Sequence, residues 1–185
     1  MRIITGMYRG RTLKTVPDLS VRPATGRVRQ TIFDMLVNRI DFDGLSVLDA
    51  FAGSGSLGFE ALSRGARRTT FVEAESRAAE FIIENAQALG CTDDVEIVQM
   101  DAMAYFTATP GRYGLIFADP PYAFSGTASI PGSVFSASLL QPGGYLVIEH
   151  SPAVLFAEGP GYVRGPSKKF GRTIVTFFHN REDGR

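Results

Sequence analysis

A loop in the second half of the chain could hold a flat base that carries an amino group. Asp119-Pro120-Pro121-Tyr122 follows a predicted strand at Tyr113–Ala118. Prolines have no N–H group, so the backbone of this rigid turn offers mainly carbonyl acceptors. The Asp119 carboxylate and the Pro120 carbonyl could accept both hydrogens of an exocyclic amine, while the Tyr122 ring stacks on the base. These hydrogen bonds would localise the lone pair of the amine and align it for in-line attack on a group to be transferred. We therefore predict that Asp119, Pro120 and Tyr122 are catalytic.

A glycine-rich loop lies earlier in the chain, between a predicted strand and a predicted helix. Gly53-Ser54-Gly55-Ser56-Leu57-Gly58 has the spacing G-x-G-x-x-G. Glycines allow a tight turn, and the start of the helix offers free N–H groups to a ligand. Glu73 ends the next predicted strand, where a carboxylate can accept hydrogen bonds from both hydroxyls of a ribose. These residues predict a pocket for an adenosine-containing cofactor.

The carboxylate at position 49 indicates which of two adenosine-containing cofactors the loop would bind. Asp49 lies near the end of the predicted strand before the glycine loop, so its side chain should face the same pocket. A dinucleotide would place a pyrophosphate there, which a carboxylate repels. S-adenosylmethionine would place a cationic ammonium and sulfonium there, which a carboxylate attracts. The charge favours S-adenosylmethionine and leaves an NAD-dependent oxidoreductase as an alternative.

The charges are unevenly distributed, although the formal net charge is zero. Residues 1–40 have a balance of +6, residues 41–163 of −10, and residues 164–185 of +4. An acidic middle between two basic ends suggests that the ends face a polyanion. The predicted nucleic-acid contacts are Arg9, Arg11, Lys14, Arg22, Arg27 and Arg29, with Lys168, Lys169 and Arg172 as a second group.

The hydrophobic pattern alternates between strands and helices from residue 45 onward. Such alternation is typical of an α/β fold, with helices on both faces of a parallel sheet and ligands at the carboxyl ends of the strands. The predicted strands are Leu45–Phe51, Arg68–Glu73, Val95–Gln99, Tyr113–Ala118 and Gly144–His150, with a closing antiparallel hairpin at Tyr162–Val163 and Thr173–Phe178. The predicted helices are Gly26–Ile40, Leu57–Arg64, Ser76–Leu89, Ala102–Thr107 and Ser133–Leu140.

The beginning of the chain predicts a small extension. Residues 2–16 alternate loosely and indicate short strands or a β-hairpin, followed by a loop at Pro17–Pro23. We therefore divide the chain into a basic extension, residues 1–25, and an α/β domain, residues 26–185, which the family resemblance given below implies to be an RNA-binding extension and a methyltransferase domain.

Composition narrows the class of protein. The chain has 185 residues, of which 44% are hydrophobic, enough for the core of one domain. Its apolar runs are too short to span a bilayer, and its start lacks the apolar segment of a secretory signal. It has one cysteine and no Cys/His cluster with zinc spacing. We expect a cytoplasmic protein without a metal or membrane partner, and a monomer.

The motifs together resemble those of the Rossmann-like, S-adenosylmethionine-dependent amino-methyltransferases. Over most of residues 1–150, the chain more narrowly resembles the bacterial small-subunit rRNA (guanine-N2)-methyltransferase family, RsmD-like. The matching segments, in the expected order, are Arg2–Gly6, Arg9–Arg11, Arg22–Pro23, Arg27–Arg29, Leu48–Gly55, Glu60–Ala66 and Asp119–Tyr122.

The resemblance implies a fold, a cofactor and a substrate. The fold would be a mostly parallel seven-stranded sheet with an antiparallel C-terminal hairpin and an N-terminal β-hairpin extension. The substrate would be a guanine in 16S rRNA, within an assembled or assembling small ribosomal subunit, and Asp119, Pro120 and Tyr122 would hold that base. Residues implied for S-adenosylmethionine are Asp49, Phe51, Gly53, Ser54, Gly55, Glu73, Asp101, Ala102 and Asp119.

Other functions share parts of this pattern. A methyltransferase acting on adenine N6 or cytosine of DNA could use the same proline loop. An enzyme that methylates a protein glutamine would usually have Asn in place of Asp119. A non-catalytic RNA-binding module would use the sheet as a scaffold only, and the intact Asp119 and Gly53 argue against it.

Overall fold

The computed structural model describes residues 1–15 and 25–181. The predicted loop Pro17–Pro23, including Arg22, lies outside the described residues. The strands are β1 (Ser46–Ala50), β2 (Arg68–Glu73), β3 (Val95–Gln99), β4 (Tyr113–Ala118), β5 (Leu140–His150), β6 (Tyr162–Phe170) and β7 (Thr173–Asn180). The α-helices are α1 (Thr25–Leu36), α2 (Ser56–Ser63), α3 (Ser76–Leu89), α4 (Ala102–Ala108) and α5 (Ile130–Ser136).

The strands form one sheet in the order β3-β2-β1-β4-β5-β7-β6. Strands β1 to β5 pair in parallel, whereas β7 is antiparallel to both β5 and β6. The predicted, mostly parallel seven-stranded sheet with an antiparallel C-terminal hairpin is confirmed. The order of the strands reverses at β1, which has β2 on one side and β4 on the other. The crevice at the carboxyl ends of β1 and β4 is therefore where an α/β sheet usually binds its ligand.

The core occupies both faces of the sheet. One cluster includes Phe33, Phe59 and Phe117, and the cluster on the other face includes Phe106 and Ile116. Every residue of β4 is buried because helices cover both faces, so this strand is a continuous hydrophobic run rather than an alternating one.

Local signals set the ends of α3 where the sequence predicts them. The Glu75 side chain accepts hydrogen bonds from the N–H groups of Arg77 and Ala78, at 3.0 and 2.7 Å. Gly90 ends the helix with φ of 74°, a left-handed conformation that favours glycine. The C-terminal glycine is visible in the sequence, whereas the capping role of Glu75 comes from the structure.

The predicted bounds of α5, β5 and β6 are wrong, and the strand predicted over Gly144–His150 is β5, Leu140–His150. The helix predicted over Ser133–Leu140 is α5, Ile130–Ser136, and Leu140 already pairs with Tyr113 in β5. Ser138 has φ of 54° and turns the chain out of the helix. Strand β6 runs through Phe170, well past the predicted Val163, since its register shifts between Arg164 and Ser167 and the pairing then resumes.

Residues 1–15, called the N-terminal arm below, fold back on the domain. The predicted β-hairpin is reduced to one antiparallel bridge between Arg2 and Thr12. Ile3 and Leu13 are buried in the same hydrophobic cluster as α1 and α2. The arm thus shares the core of the domain, and the division at residue 25 stays a prediction.

A buried carboxylate on α2 holds the arm. Glu60 is fully buried and accepts hydrogen bonds from the N–H groups of Ile4 and Thr5, at 2.7 and 3.1 Å. The Arg64 Nε donates to the same carboxylate at 2.9 Å. A second contact is made by Ser63, whose Oγ donates to the Thr5 carbonyl at 2.5 Å.

We expect Glu60→Ala to destabilise the protein by about 3–5 kcal/mol, because it leaves Arg64 and two arm N–H groups without their acceptor. Urea unfolding measures this loss. Glu80→Ala is the matched control, since Glu80 is exposed and forms a surface ion pair with Arg77, so its effect should stay within about 0.5 kcal/mol. Equal stability of the two variants would contradict the role of Glu60.

Among the residues described, no helix is long and apolar enough to cross a membrane. The same residues contain no group of three or more His, Cys, Asp or Glu side chains that could hold a metal ion.

Candidate active site

Four carboxylates lie at the carboxyl ends of four neighbouring strands. Asp101 follows β3, Glu73 ends β2, Asp49 lies at the end of β1, and Asp119 follows β4. These strands are adjacent in the sheet, in the order β3-β2-β1-β4, and adjacent strands are about 4.8 Å apart. The fold therefore assembles one acidic edge from residues that are up to 70 positions apart in the chain.

Asp49 is the buried member of this edge. Its side chain is 2% exposed, and its Oδ2 accepts a hydrogen bond from the Gly58 N–H at 2.8 Å. Burial raises the pKa of Asp49 well above its usual range, and the neighbouring charges of Asp119 and Glu73 raise it further, against the opposing effect of the Gly58 bond. A cation bound next to this carboxylate would stabilise its charged form, whereas an anion would destabilise it.

The glycine loop turns directly above this carboxylate. The Gly53 N–H donates to Glu73 Oε2 at 2.7 Å, so Glu73 ties the loop to the end of β2. Gly53 has φ of 55°, and a Cβ there would meet no atom within 4 Å, which leaves its backbone open to a ligand. Gly55 has a different reason to be glycine: its φ is 78° and a Cβ would lie 2.8 Å from the Phe59 ring.

These residues fit S-adenosylmethionine. The buried Asp49 carboxylate, with two other acids close to it, matches a cationic methionine moiety, and the open backbone at Gly53 permits close approach. Glu73 has one oxygen bonded to Gly53 and the other to the Glu75 N–H at 2.9 Å, so it is held rigidly at the edge where a ribose would lie. A dinucleotide pyrophosphate would meet the same acids with the wrong charge.

The remaining predicted cofactor residues lie on both sides of the glycine loop. Asp101 is exposed and caps α4, where its Oδ1 accepts from the Ala104 N–H at 2.9 Å, and Ala102 beside it is buried. Phe51 has a left-handed φ of 59°, which is rare for an aromatic residue. Strained backbone of this kind clusters at functional sites. The Ser54 carbonyl accepts a hydrogen bond from α3.

The Asp-Pro-Pro-Tyr loop stands next to the glycine loop, because β4 pairs with β1 and Ala118 is opposite Ala50. Asp119 is half-buried and Pro120 is buried, whereas Tyr122 is 47% exposed. The Tyr122 hydroxyl is 2.5 Å from Thr173 Oγ1 at the start of β7, so the ring is anchored at its far end while much of its surface stays accessible. An anchored, accessible ring suits stacking on a base.

An aromatic contact joins the two loops. The rings of Phe51 and Phe124 are 5.2 Å apart, and the Phe124 N–H donates to the Pro121 carbonyl at 2.8 Å. The predicted cofactor loop and the predicted catalytic loop therefore pack as one unit.

The predicted RNA-binding residues are placed very differently from one another. Arg9 and Arg27 are exposed, and neither forms an ion pair within the described residues. Lys14 is exposed but lies 2.8 Å from Glu84, and the Arg11 guanidinium donates to the Ala88 carbonyl. Lys168, Lys169 and Arg172 are exposed around the turn between β6 and β7.

Arg29 is the exception. It is 4% exposed, and its guanidinium donates to the Arg2 carbonyl at 2.5 Å. Burial lowers the pKa of this guanidinium. Its observed contact is with the N-terminal arm, so a phosphate contact at Arg29 stays a prediction that its burial disfavours. Arg22 lies outside the described residues.

Four residues that the sequence analysis assigns no function have structural roles at the site. Glu60 and Ser63 hold the arm, Asn85 contacts the glycine loop, and Thr173 anchors Tyr122. Glu60 and Ser63 lie in the segment Glu60–Ala66 that matches the family, which was their only signal. Asn85 and Thr173 carry no local signal, because each acts on a residue more than 30 positions away.

Comparisons with known proteins agree with this geometry. A "Putative rRNA methyltransferase YlbH" of Bacillus subtilis is 35% identical over 185 residues, with 98% of this chain and 100% of the relative covered. "Ribosomal RNA small subunit methyltransferase D" of Haemophilus influenzae is 33% identical over 152 residues, covering 80% of this chain and 78% of the relative.

A solved structure shares the whole fold. The "Putative methyltransferase yhhF from Escherichia coli" superposes with a TM-score of 0.84 at 29% identity, covering 97% of each chain. The prediction of a Rossmann-like methyltransferase fold is thereby confirmed.

The family described as "Conserved hypothetical protein 95" matches residues 1–179. The chain belongs to this family, and the RsmD-like resemblance that its motifs indicate is confirmed.

Proposed function

We propose that this protein transfers a methyl group from S-adenosylmethionine to the exocyclic N2 amine of a guanine in 16S rRNA of the small ribosomal subunit. One observation carries the proposal. The glycine loop after β1, with Asp49 and Glu73 beside it, and the Asp-Pro-Pro-Tyr loop after β4 are neighbours at the point where the order of the strands reverses. Carboxylates suited to a cationic methyl donor thus adjoin a loop suited to a planar amine.

The two loops would have different roles, one in binding the cofactor and the other in binding the target base. Asp49 and the Gly53 backbone would hold the methionine moiety, Glu73 the ribose, and Asp101 with Ala102 the adenine. S-adenosylmethionine, when bound, supplies a methyl group that is activated by its positive sulfur. Asp119 and the Pro120 carbonyl accept the two amine hydrogens, and this directs the N2 lone pair at the donor. Asp119 is then the group placed to accept the proton that the methylated amine gives up.

RNA is favoured over the alternative substrates by the relatives. The Haemophilus influenzae relative is named for the RNA of the small ribosomal subunit, and the Bacillus subtilis relative for rRNA. Guanine N2 is the atom implied by the RsmD-like family. Ribosomal subunits are cytoplasmic, so we place the reaction in the cytoplasm, on an assembled or assembling subunit.

A substrate panel tests the proposal directly. The protein is incubated with radioactive methyl donor and with naked 16S rRNA, small subunits or duplex DNA, and the modified nucleoside is identified by mass spectrometry. We expect N2-methylguanosine from RNA or from subunits. A methylated adenine or cytosine in the duplex, with unmodified RNA, would replace this proposal with the DNA alternative.

The exposed arginines allow a prediction about RNA binding. We expect the double variant Arg9→Glu, Arg27→Glu to weaken RNA binding at least tenfold, because phosphate contacts dominate affinity. Loss of two such contacts should also reduce the slope of log K against log salt by about 1.4 to 1.8. Fluorescence anisotropy across a salt series measures both quantities.

Arg112→Glu is the matched control for that variant. Arg112 is exposed and precedes β4, at the opposite end of the sheet from the site. It should leave the affinity for RNA unchanged, and neither variant should alter the affinity of the RNA-free protein for S-adenosylmethionine. Equal loss of RNA and cofactor binding in the double variant would contradict this separation of roles.

A further inference from the structure

A buried amide connects the N-terminal arm with the glycine loop. Asn85 lies in the C-terminal half of α3 and is 1% exposed. Its Oδ1 accepts a hydrogen bond from the Lys14 N–H at 2.7 Å, and its Nδ2 donates to the Lys14 carbonyl at 2.9 Å. The same Nδ2 donates to the Ser54 carbonyl at 3.2 Å. One side chain therefore spans two segments that are 40 positions apart.

The two segments have different predicted ligands. Ser54 lies between Gly53 and Gly55 in the loop that would bind the cofactor. Lys14 lies in the arm with Arg9, the exposed arginine proposed to contact RNA. Because the Nδ2 group divides its two hydrogens between these segments, a displacement of one segment changes the hydrogen bond that Asn85 offers to the other.

The arm also contacts the helix that follows the glycine loop. Glu60 and Ser63 of α2 bind the arm backbone at residues 4, 5, 7 and 8. At Gly6 the arm passes so close to α2 that a Cβ would lie 1.6 Å from the Ser63 carbonyl oxygen. The arm is thus held at two places, by Asn85 next to the glycine loop and by Glu60 and Ser63 on the helix that follows this loop.

We propose that Asn85 is a positioning residue that couples RNA binding on the arm to cofactor binding in the glycine loop. The inference rests on the proposed function. RNA that fixes Lys14 also fixes the Asn85 amide, and the amide in turn holds the Ser54 carbonyl and the turn that carries Gly53. Linkage requires the reverse effect as well, so bound cofactor tightens the grip of the arm on RNA by the same factor.

The coupling is measured by calorimetry. The dissociation constant of S-adenosylhomocysteine is determined without RNA and with a saturating amount of the RNA that accepts the methyl group. We expect RNA to tighten binding at least about fivefold in the wild type, the lower end of typical coupling. In Asn85→Ala the ratio should fall to about one. Gln87→Ala, on the exposed side of the same helix, is the matched control and should keep the wild-type ratio.

A wild-type measurement covers the case in which Asn85→Ala does not fold. The Lys14 amide hydrogen is bonded to Asn85, so S-adenosylhomocysteine alone should slow its exchange with solvent severalfold. A Lys14 amide that exchanges at the same rate with and without S-adenosylhomocysteine would overturn the inference. So would a ratio near one in the wild type, or an unchanged ratio in a folded Asn85→Ala protein. In each case RNA methylation would continue in the wild type, so the proposed function would stand, whereas absence of methyl transfer to RNA would refute that function itself.

Discussion

Asp119→Ala is expected to reduce the rate of methyl transfer by at least about 100-fold, because loss of a positioning contact at the reacting atom has an effect of this size. Asp119 follows β4 beside the glycine loop, where its carboxylate can accept a hydrogen from the target amine. Without it the amine keeps one acceptor, the Pro120 carbonyl, and its lone pair is no longer directed at the donor. Single-turnover assays with the preformed complex measure this step apart from binding.

The RNA affinity of Asp119→Ala should stay close to that of the wild type, since the basic residues proposed to supply most of the affinity lie on the arm and α1. Asp93→Ala is the control. Asp93 is an exposed acid that precedes β3, at the opposite end of the sheet from the half-buried Asp119. If Asp119→Ala retained wild-type turnover, the protein would be better described as an RNA-binding module whose loop is only structural.

Asp49→Asn should weaken S-adenosylmethionine binding by about 10- to 100-fold, the scale of a lost hydrogen bond or ion pair to a charged group. The variant keeps the shape of the side chain and an oxygen for the Gly58 N–H, but it removes the charge that attracts the donor. Calorimetric titration of the RNA-free protein gives the affinity. Glu158→Gln removes an exposed charge and should have no effect.

The same substitution should stabilise the ligand-free protein at neutral pH. Because burial raises the pKa of Asp49, the folded protein holds this proton more tightly than the unfolded chain, in which the pKa is about 3.9. The stabilising contribution is complete below that value and is lost as the pH rises through the folded pKa. Asn carries no charge at either pH. The melting temperature of the Asp49→Asn protein should therefore exceed that of the wild type at pH 7 and not at pH 3.

Cofactor affinity adds an independent test of the same group. In the wild type it should fall as the pH is lowered and Asp49 becomes protonated, whereas in Asp49→Asn it should be nearly independent of pH in that range. A wild-type protein that bound NAD in preference to S-adenosylmethionine, or an Asp49→Asn protein with unchanged affinity, would refute the charge argument from which the cofactor was inferred.

Local sequence determined the framework of the site. The predicted ends of β2, α3, β3 and β4 coincide with the observed ones. These elements are short and strongly patterned, and caps or turn residues adjoin them. Since the carboxyl ends of parallel strands meet at one edge, the strand pattern placed Asp49, Glu73 and Asp119 together, and the family resemblance added Asp101.

Tertiary structure decided what each remaining side chain contacts. Helical spacing puts Arg29 on the same face of α1 as the apolar Ile32, Phe33 and Leu36, and Arg27 on the polar face. That spacing could have indicated which arginine is buried, but not that Arg29 holds the arm. The contacts of Asn85 with Ser54, and of Tyr122 with Thr173, join residues 31 and 51 positions apart. Periodicity reports only which face of an element is apolar, whereas the partner of a polar group depends on how distant segments pack. The acidic edge of the sheet could therefore be inferred from the sequence, but its connection with the arm could not.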